Sequence, residues 1–499
     1  MRRNSLLVSV AALALLAAAC GTTVPLGQRT ITQGGAQARH GLNAGDASGA
    51  VDELAPGEVA TGDGGTTTGS VGSTRATTAT AGRAPASLPT TGPGWDKTSV
   101  YIGVTTQKDV QTAADSVGAK GLDGGDQEGE ANAVVNELNR RGGIFGRQVK
   151  IVFKDQSTVA TAQDPNTVGN EACTYFTQDH PVVALLSPVT LMDVPSFRAC
   201  MAKAKVALFS ASVAAIDNKV AEALAPYFYS LVAPTWDSLA PVLVQRLKAQ
   251  GWFSGWNPRT GTAGPDPVKV GVLTPSDDIG KRVAKTVTDA LSAAGHSNSV
   301  VYEYGGSGDF SSAVLNFSGN NVTHVISVNA DLFTFQLSAN TQNYKPRYGI
   351  TSVNAPVTFL QTNSPRGQNH GAMGVGWSPS LDVDDAHDQT TGPGEAECKR
   401  IMAAGGQTAF QGKRLAEAVA YAFCDGLQLI AQAAQAGGGL TGPVISQGIQ
   451  KVAPNFVSAF SFASGLGPGK LFVPGGVRDL VWDNGCECPK YAGTTTYRM

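Results

Sequence analysis

The chain has 499 residues, enough for two or three domains with sizeable cores. Its 37 Lys+Arg nearly cancel its 39 Asp+Glu, which excludes both the basic field that holds nucleic acid and an acidic one that draws a highly charged partner. Charged residues make up only 15% and glycines number 60, a balance that implies many turns and the lightly charged surface of an exported protein. Catalytic signatures are missing as well. No Gly-x-x-x-x-Gly-Lys-[Ser/Thr] phosphate loop is present, since Gly280-Lys281 and Gly469-Lys470 lack both the leading glycine and the hydroxyl. No Gly-x-Ser-x-Gly elbow occurs, and no strand is followed by the glycine spacing of a dinucleotide site.

Met1-Arg2-Arg3 supplies a positive start, and Leu6 to Ala19 is an apolar run too short for a comfortable membrane span but suited to a secretory signal. It ends Leu16-Ala-Ala-Ala-Cys20-Gly21, which resembles the bacterial lipobox, with Ala17 where leucine is usual. This resemblance implies a signal peptide over 1–19 and lipidation of Cys20, anchoring the protein to the outer face of the cell membrane. Residues 20–97 read as a Gly/Thr/Ala-rich tether: no aromatic residue occurs from Gly21 to Gly94, so the stretch cannot bury enough surface to offset the entropy of ordering. Removing Cys20 from the seven cysteines leaves an even six, which in an exported chain argues for disulfides. Sequence neighbours favour Cys173 with Cys200, Cys398 with Cys424 and Cys486 with Cys488, although six cysteines allow 15 connectivities. Cys486-Glu-Cys488 is expected to form a small loop and not a metal site, because the six histidines are scattered.

The body opens with a βαβ unit. Thr98 to Val104 fits a buried strand, Ala131 to Leu138 a helix with Val134, Val135 and Leu138 on one face, and Val149 to Phe153 a second strand. Gly142 and Gly143 stop the helix and Gly146 turns the chain back, which predicts a parallel sheet with right-handed crossovers. The words Asn139-Arg-Arg-Gly-Gly-Ile-Phe-Gly-Arg147, followed by a strand and Asp155, resemble the opening of the type I periplasmic solute-binding proteins, the group that includes leucine/isoleucine/valine-binding protein. The resemblance extends over roughly Thr98 to Trp482 and implies an α/β fold of two Rossmann-like lobes with parallel sheets joined by a multi-strand hinge. On that basis 98–231 and 379–470 form lobe I, and 232–378 and 471–499 form lobe II.

The remaining elements follow in order. A helix over Val168 to Tyr175 leads to the strand Pro181 to Ser187; a helix over Val194 to Lys203 leads to the strand Val206 to Ser210. Both strands finish in hydroxyl clusters, Ser187-Pro-Val-Thr190 and Ser210-Ala-Ser212. Ligands of open α/β sheets bind beyond the carboxyl ends of strands, so these clusters predict a binding rim. For each hydroxyl alone, capping a helix and touching a ligand are equally good readings, and one residue can do both. Ala225 to Val232 is extended and apolar, Ser238 to Lys248 is helical, and Trp252 and Trp256 are expected to staple a Gly/Pro-rich insert to the body. A second α/β series runs from Val268 to Ser352, with Ala372 to Trp377 read as a return across the hinge. Glu395 to Ala436 holds two helices that pack on the first lobe. His180 and His324 are read as strand-edge residues, not as bases for a rim serine.

The resemblance implies a non-enzymatic protein that captures a small solute between two lobes and presents it to an ABC permease with separate ATPase subunits. It implies no cofactor and a monomer. The ligand set expected from it comprises Thr105, Gln107, Ser187, Thr190, Ser210, Ala211 and Ser212 on the first lobe, with Asp277, Ile279, Asn329, Ser352 and Asn354 on the second. Amino-acid binders of the family commonly meet the ligand ammonium with an acidic residue of the second lobe. Here Ser352-Val-Asn354 carries none, leaving Asp277, Asp278 and Asp331 as substitutes and keeping an amide or an acid without an amine in play beside an amino acid. The alternatives are a sensor or envelope-assembly role on the same fold, or an exported α/β hydrolase.

Overall fold

The structure is a computed structural model that describes residues 88–112, 122–157, 164–187, 194–305, 309–361, 364–410 and 412–499. The signal peptide, Cys20, most of the tether, Pro188 and Thr190 lie outside the described residues.

Two sheets repeat one topology. The first contains β1 (Ser99–Thr106), β2 (Gln148–Asp155), β3 (Ala184–Ser187), β4 (Ala207–Ser210) and β5 (Phe228–Ser230), all parallel, in the order β2-β1-β3-β4-β5. A short antiparallel hairpin, β6 (Trp256–Asn257) and β7 (Thr262–Ala263), follows. The second sheet is built from β8 (Val270–Pro275), β9 (Val300–Tyr304), β10 (His324–Ser327), β11 (Arg347–Thr351) and β12 (Met373–Gly376), which run parallel in the order β9-β8-β10-β11-β12. It is extended antiparallel by β13 (Gly476–Asp483) and β14 (Cys488–Tyr491). The segment expected as a hinge return over Ala372 to Trp377 is thus largely a strand. Its backbone pairs β11 on one side and β13 on the other, and the crossing begins only at Trp377.

Alternation along the strands sends side chains into two layers per sheet. In the first sheet, Ala184, Leu186, Ala207 and Phe209 join the core under α1 (Gln127–Arg140), while Leu185, Leu208 and Phe228 pack with α2 (Pro165–Thr174) and α3 (Pro195–Lys203). After α4 (Asn218–Leu224), the helices α5 (Trp236–Ala249) and α6 (Asp278–Ala293) cover one face of the second sheet through Leu243, Leu247, Val283 and Val287. Its other face holds Val325, Tyr348 and Ile350 against α7 (Phe310–Gly319) and α8 (Leu332–Thr341). The late helices α9 (Pro393–Ala404) and α10 (Arg414–Gly437) return to the first sheet, and Arg400 of α9 meets Glu137 of α1 at 2.6 Å. A further helix, α11 (Gly442–Val452), escaped the sequence reading because the run of glycines before it resembles a linker. It buries Ile445 and Ile449.

Local punctuation follows the residues that demand it. Gly142 and Gly143 after α1 have φ of 99° and 67°, and a Cβ on Gly143 would lie 1.9 Å from the Arg147 carbonyl oxygen. Disulfides join Cys173 of α2 to Cys200 of α3, Cys398 of α9 to Cys424 of α10, and Cys486 to Cys488 between β13 and β14. The insert is pinned by its tryptophans: Trp252 is fully buried and donates from Nε1 to the Tyr348 carbonyl at 3.0 Å, and Trp256 donates to Lys345 at 2.9 Å. Trp252→Ala is therefore expected to cost about 3–5 kcal/mol, the usual cost of emptying a large aromatic site. Urea unfolding of the variant checks this, and a loss under about 1 kcal/mol would show that the insert is only loosely attached.

Candidate functional site

In each sheet the strand order reverses at one place, between β1 and β3 in the first and between β8 and β10 in the second. Crevices at such reversals are where open α/β sheets receive ligands. Thr105 is the penultimate residue of β1 and Ser187 ends β3; their hydroxyls share a buried hydrogen bond of 2.6 Å at the first reversal. Ser210 lies beside Ser187 in register, and the backbone N–H of Ala211 donates to the Ser187 carbonyl at 2.9 Å. The loop continues in small turns, with Ser212 N donating to Ser210 Oγ at 3.3 Å and Ala214 N to Ser212 Oγ at 3.2 Å. The structure thus brings Thr105, Ser187, Ser210, Ala211 and Ser212 together.

Gln107 follows β1, and its backbone N–H donates to Gln127 Oε1 at 2.9 Å. Gln156 follows β2 in the adjoining position. Both glutamines are at least nine-tenths buried, and among the described residues neither Nε2 finds a partner. Gln127 and Gln156 escaped the sequence reading, since a single glutamine opening a helix or following a strand carries no pattern of its own.

At the second reversal, Asn329 follows β10 and is 2% exposed. Its Oδ1 accepts from the backbone N–H of Ala215 in the loop after β4, at 3.1 Å, so the two rims touch. Asn354 donates from Nδ2 to the Asn329 carbonyl at 2.8 Å and to the Ser327 carbonyl at 3.2 Å, while its Oδ1 accepts from Thr351 N at 2.9 Å. Asn354 thereby holds the loop that presents Asn329. Ser352 lies deeper: it donates to Asp382 at 2.9 Å and accepts from Trp377 N at 2.8 Å.

Two of the three acidic candidates are engaged. Asp277 caps α6 by accepting from Gly280 N at 2.6 Å, with Ile279 partly buried in the first turn. Asp331 accepts a short hydrogen bond from the Tyr304 hydroxyl, and Asp278 is exposed. A second contact between the rims joins Arg282 of α6 to Asp217, which also caps α4 through Val220 N at 3.0 Å. That pair was not legible in sequence, because the capping role alone explains Asp217. His324 is buried at the start of β10, between Thr323 Oγ1 and the Trp252 carbonyl at 2.9 Å each, and burial pushes its pKa down to about 3. It is a core residue of that strand.

Behind the first rim, Glu130 sits 1% exposed in the first turn of α1, tucked under Gly125, where a Cβ would lie 2.3 Å from Oε1. Burial, aided by repulsion from Asp126 and Asp123, raises its pKa from 4.5 to about 8. The native state then keeps a proton that the unfolded chain releases, so stability falls as pH rises from about 4.5 through about 8. Glu130→Gln removes this loss. Its urea midpoint is expected to gain on the parent between about pH 5 and about pH 9, and a gap that stays constant would mean that Glu130 is ionised in the fold.

The comparisons with known proteins agree with this architecture. Residues 100–467 match the family described as periplasmic binding protein. Among curated proteins no match is found. Among solved structures, the chain is similar to the branched-chain amino acid transporter substrate-binding protein of Streptococcus pneumoniae in complex with isoleucine, at 16% identity and a TM-score of 0.54, covering 80% of this chain and 100% of that one. A solute-binding protein of R. palustris in complex with 4-hydroxybenzoate aligns at 13% identity and a TM-score of 0.58, covering 80% and 97%. A fatty acid ABC transporter substrate-binding protein of Thermomonospora curvata aligns at 13% and 0.52, covering 83% and 95%. With the family match spanning most of the chain and two repeated parallel sheets reversing at facing crevices, this protein belongs to the periplasmic binding proteins of type I fold.

Proposed function

We propose that this protein is the substrate-binding lipoprotein of an ABC importer, tethered outside the membrane through Cys20, and that it captures a small solute without chemically changing it. The observation that carries the reading is the meeting of the two crevices at Ala215 and Asn329, each lined by hydroxyl and amide groups. Thr105, Gln107, Ser187, Ser210 and Ser212 serve from the first lobe and Asn329 from the second. Asp277, Ile279, Ser352 and Asn354 act as supports for the second rim.

The solute class that fits is a carboxylic acid without an amine, or an uncharged amide. Gln107 and Gln156 have buried Nε2 donors suited to a carbonyl or carboxylate oxygen. Of the three acidic groups that could meet an ammonium, Asp277 is engaged as a helix cap and Asp331 with Tyr304, which leaves the exposed Asp278. Among the similar proteins, one holds isoleucine, an amino acid, and another holds 4-hydroxybenzoate, an acid without an amine.

A thermal-shift screen against amino acids, amides, aromatic and aliphatic acids, and sugars tests the reading. A solute bound only by the native state adds about 2.7 kcal/mol at a hundred times its Kd. A hit confined to acids or amides is expected. A hit confined to amino acids would overturn the assignment of class, and a folded chain that responds to no member would count against solute capture.

The Asp217–Arg282 contact joins the rims without lying at either reversal, so it should act on closure. With the hit in hand, Arg282→Gln is expected to weaken apparent affinity by about tenfold or less by lowering the closed population, while Asn329→Ala weakens it by at least that much through lost contact. Titration calorimetry separates them, since only the Asn329 variant should change discrimination among related solutes.

A further inference from the structure

Far along the chain from the solute site, three soft donor groups converge. Cys486 and Cys488 flank the turn between β13 and β14, and His387 arrives from the segment after the Trp377 crossing. The ring nitrogens of His387 lie 3.6 Å (Nδ1) and 3.8 Å (Nε2) from Cys488 Sγ, and one donor atom from each of the three residues falls within 4.8 Å of the others. His387 is held by Asp384, whose Oδ1 lies 2.6 Å from Nδ1 and also accepts the His387 backbone N–H at 3.1 Å. An Nδ1–H donated to that carboxylate leaves the Nε2 lone pair available beside the sulfur. This is the carboxylate–histidine arrangement that orients imidazoles toward metals. The turn is anchored independently, since the Glu487 carbonyl accepts from Arg366 at 2.9 Å and Gly485 N donates to Asp483 at 2.6 Å. The two sulfurs are joined as a disulfide with one residue between them, Cys486 exposed and Cys488 buried.

We propose that reduction of the Cys486–Cys488 bridge opens a zinc site formed by both thiolates and His387 Nε2, with Asp384 as its outer partner. A dithiol supplies two electrons and two protons. The sulfur–sulfur bond breaks, both cysteines become thiols, and the reductant leaves as its own disulfide. Binding of Zn²⁺ then displaces one proton from each thiol, and three protein ligands leave a fourth tetrahedral position for water. In the oxidised chain the sulfurs are bonded to each other and the site is closed. Two thiolates and an imidazole favour Zn²⁺ over the hard cations, which take oxygen ligands. Cys486 is the sulfur a reductant reaches, because it is the exposed one.

The test uses the full chain under a mild dithiol, with alkylation and mass mapping to report which cysteines have opened. After removal of the reductant, zinc is titrated against a chromophoric competitor and cobalt(II) is added to a parallel sample. The expected result is alkylation at Cys486 and Cys488, one zinc bound per reduced chain and none by the oxidised chain, and a thiolate-to-cobalt charge-transfer band. Cys486→Ser abolishes zinc binding and the band. Asp384→Asn weakens zinc by about 10–100-fold while keeping the band. His387→Ala, which leaves both thiols, separates a chelating thiol pair from the three-ligand site: affinity unchanged in this variant overturns the assignment. So does zinc binding by the oxidised chain, zinc binding that survives Cys486→Ser, or a bridge that stays closed in the folded chain.

Discussion

One buried carboxylate ties three parts of the second sheet to the segment that leaves it. Asp382 is fully buried, and its Oδ2 accepts from Ser352 Oγ at 2.9 Å, Ser378 N at 3.1 Å and Tyr491 Oη at 2.6 Å. These donors come from the end of β11, the crossing after β12 and the end of β14. Ser352 also accepts from Trp377 N at 2.8 Å, and the Trp377 indole donates to the Val232 carbonyl in another crossing at 2.8 Å. Burial lifts the Asp382 pKa to about 7 against the pull of these donors. The segment at Ala459 and Phe460 is held by the same device: Asp425 of α10, also raised to about 7 by burial, accepts from Ala459 N at 2.7 Å and Phe460 N at 3.3 Å. A buried acceptor surrounded by backbone donors penalises any displacement that leaves one unpaired, by about 1–3 kcal/mol each. Displacing either segment therefore carries such a penalty.

The rim groups are likewise held by their neighbours. Thr105 and Ser187 already bond to each other, Ser210 and Ser212 stabilise the loop they occupy, and Asn354 secures the loop of Asn329. Each group reaches the crevice oriented by its neighbours. A solute bound there as proposed would meet positioned hydroxyls and amides and would not have to order them, which would reduce the entropy lost on binding. Lobe contacts such as Asp217 with Arg282 are partly exposed and individually weak.

Much of this was legible because the governing patterns are local. Apolar runs ending in Ser187 and Ser210 mark both a strand and its carboxyl end, and a parallel sheet places those ends on one rim. Gly142 and Gly143 mark the end of α1 by their conformational freedom alone. What escaped depends on partners distant in sequence. Ser352 reads as a rim residue, yet it also engages Asp382, 30 residues away. Trp377 looks like the end of a returning strand, and its indole proves to tie two crossings. Cys486-Glu-Cys488 announces a small loop, but nothing near it in sequence discloses His387, 101 residues before Cys488. Single polar residues meeting in a core produce no periodicity, and so no sequence signal.

The C-terminal hairpin brings the hinge and the cysteine pair into one element. β14 begins at Cys488 and ends at Tyr491, so the residue that contacts Asp382 lies three positions from the residue beside His387. The Asp384–Asp388 segment that carries His387 is fastened to α10, because Arg414 contacts Asp385 and Asp388 at 3.1 Å each and donates to the Val383 carbonyl at 3.0 Å. Two chemically different ties thus meet at one edge of the second sheet. Hydrogen bonding to Asp382 sets the inner end of the strand, and the contacts of Cys486, Cys488 and His387 set its outer end. A disulfide constrains only the turn, whereas a metal held by both thiolates and His387 would join the turn to the segment fastened on α10. The redox state of a three-residue loop would then decide whether the last hairpin is tied to the first lobe at one place or at two.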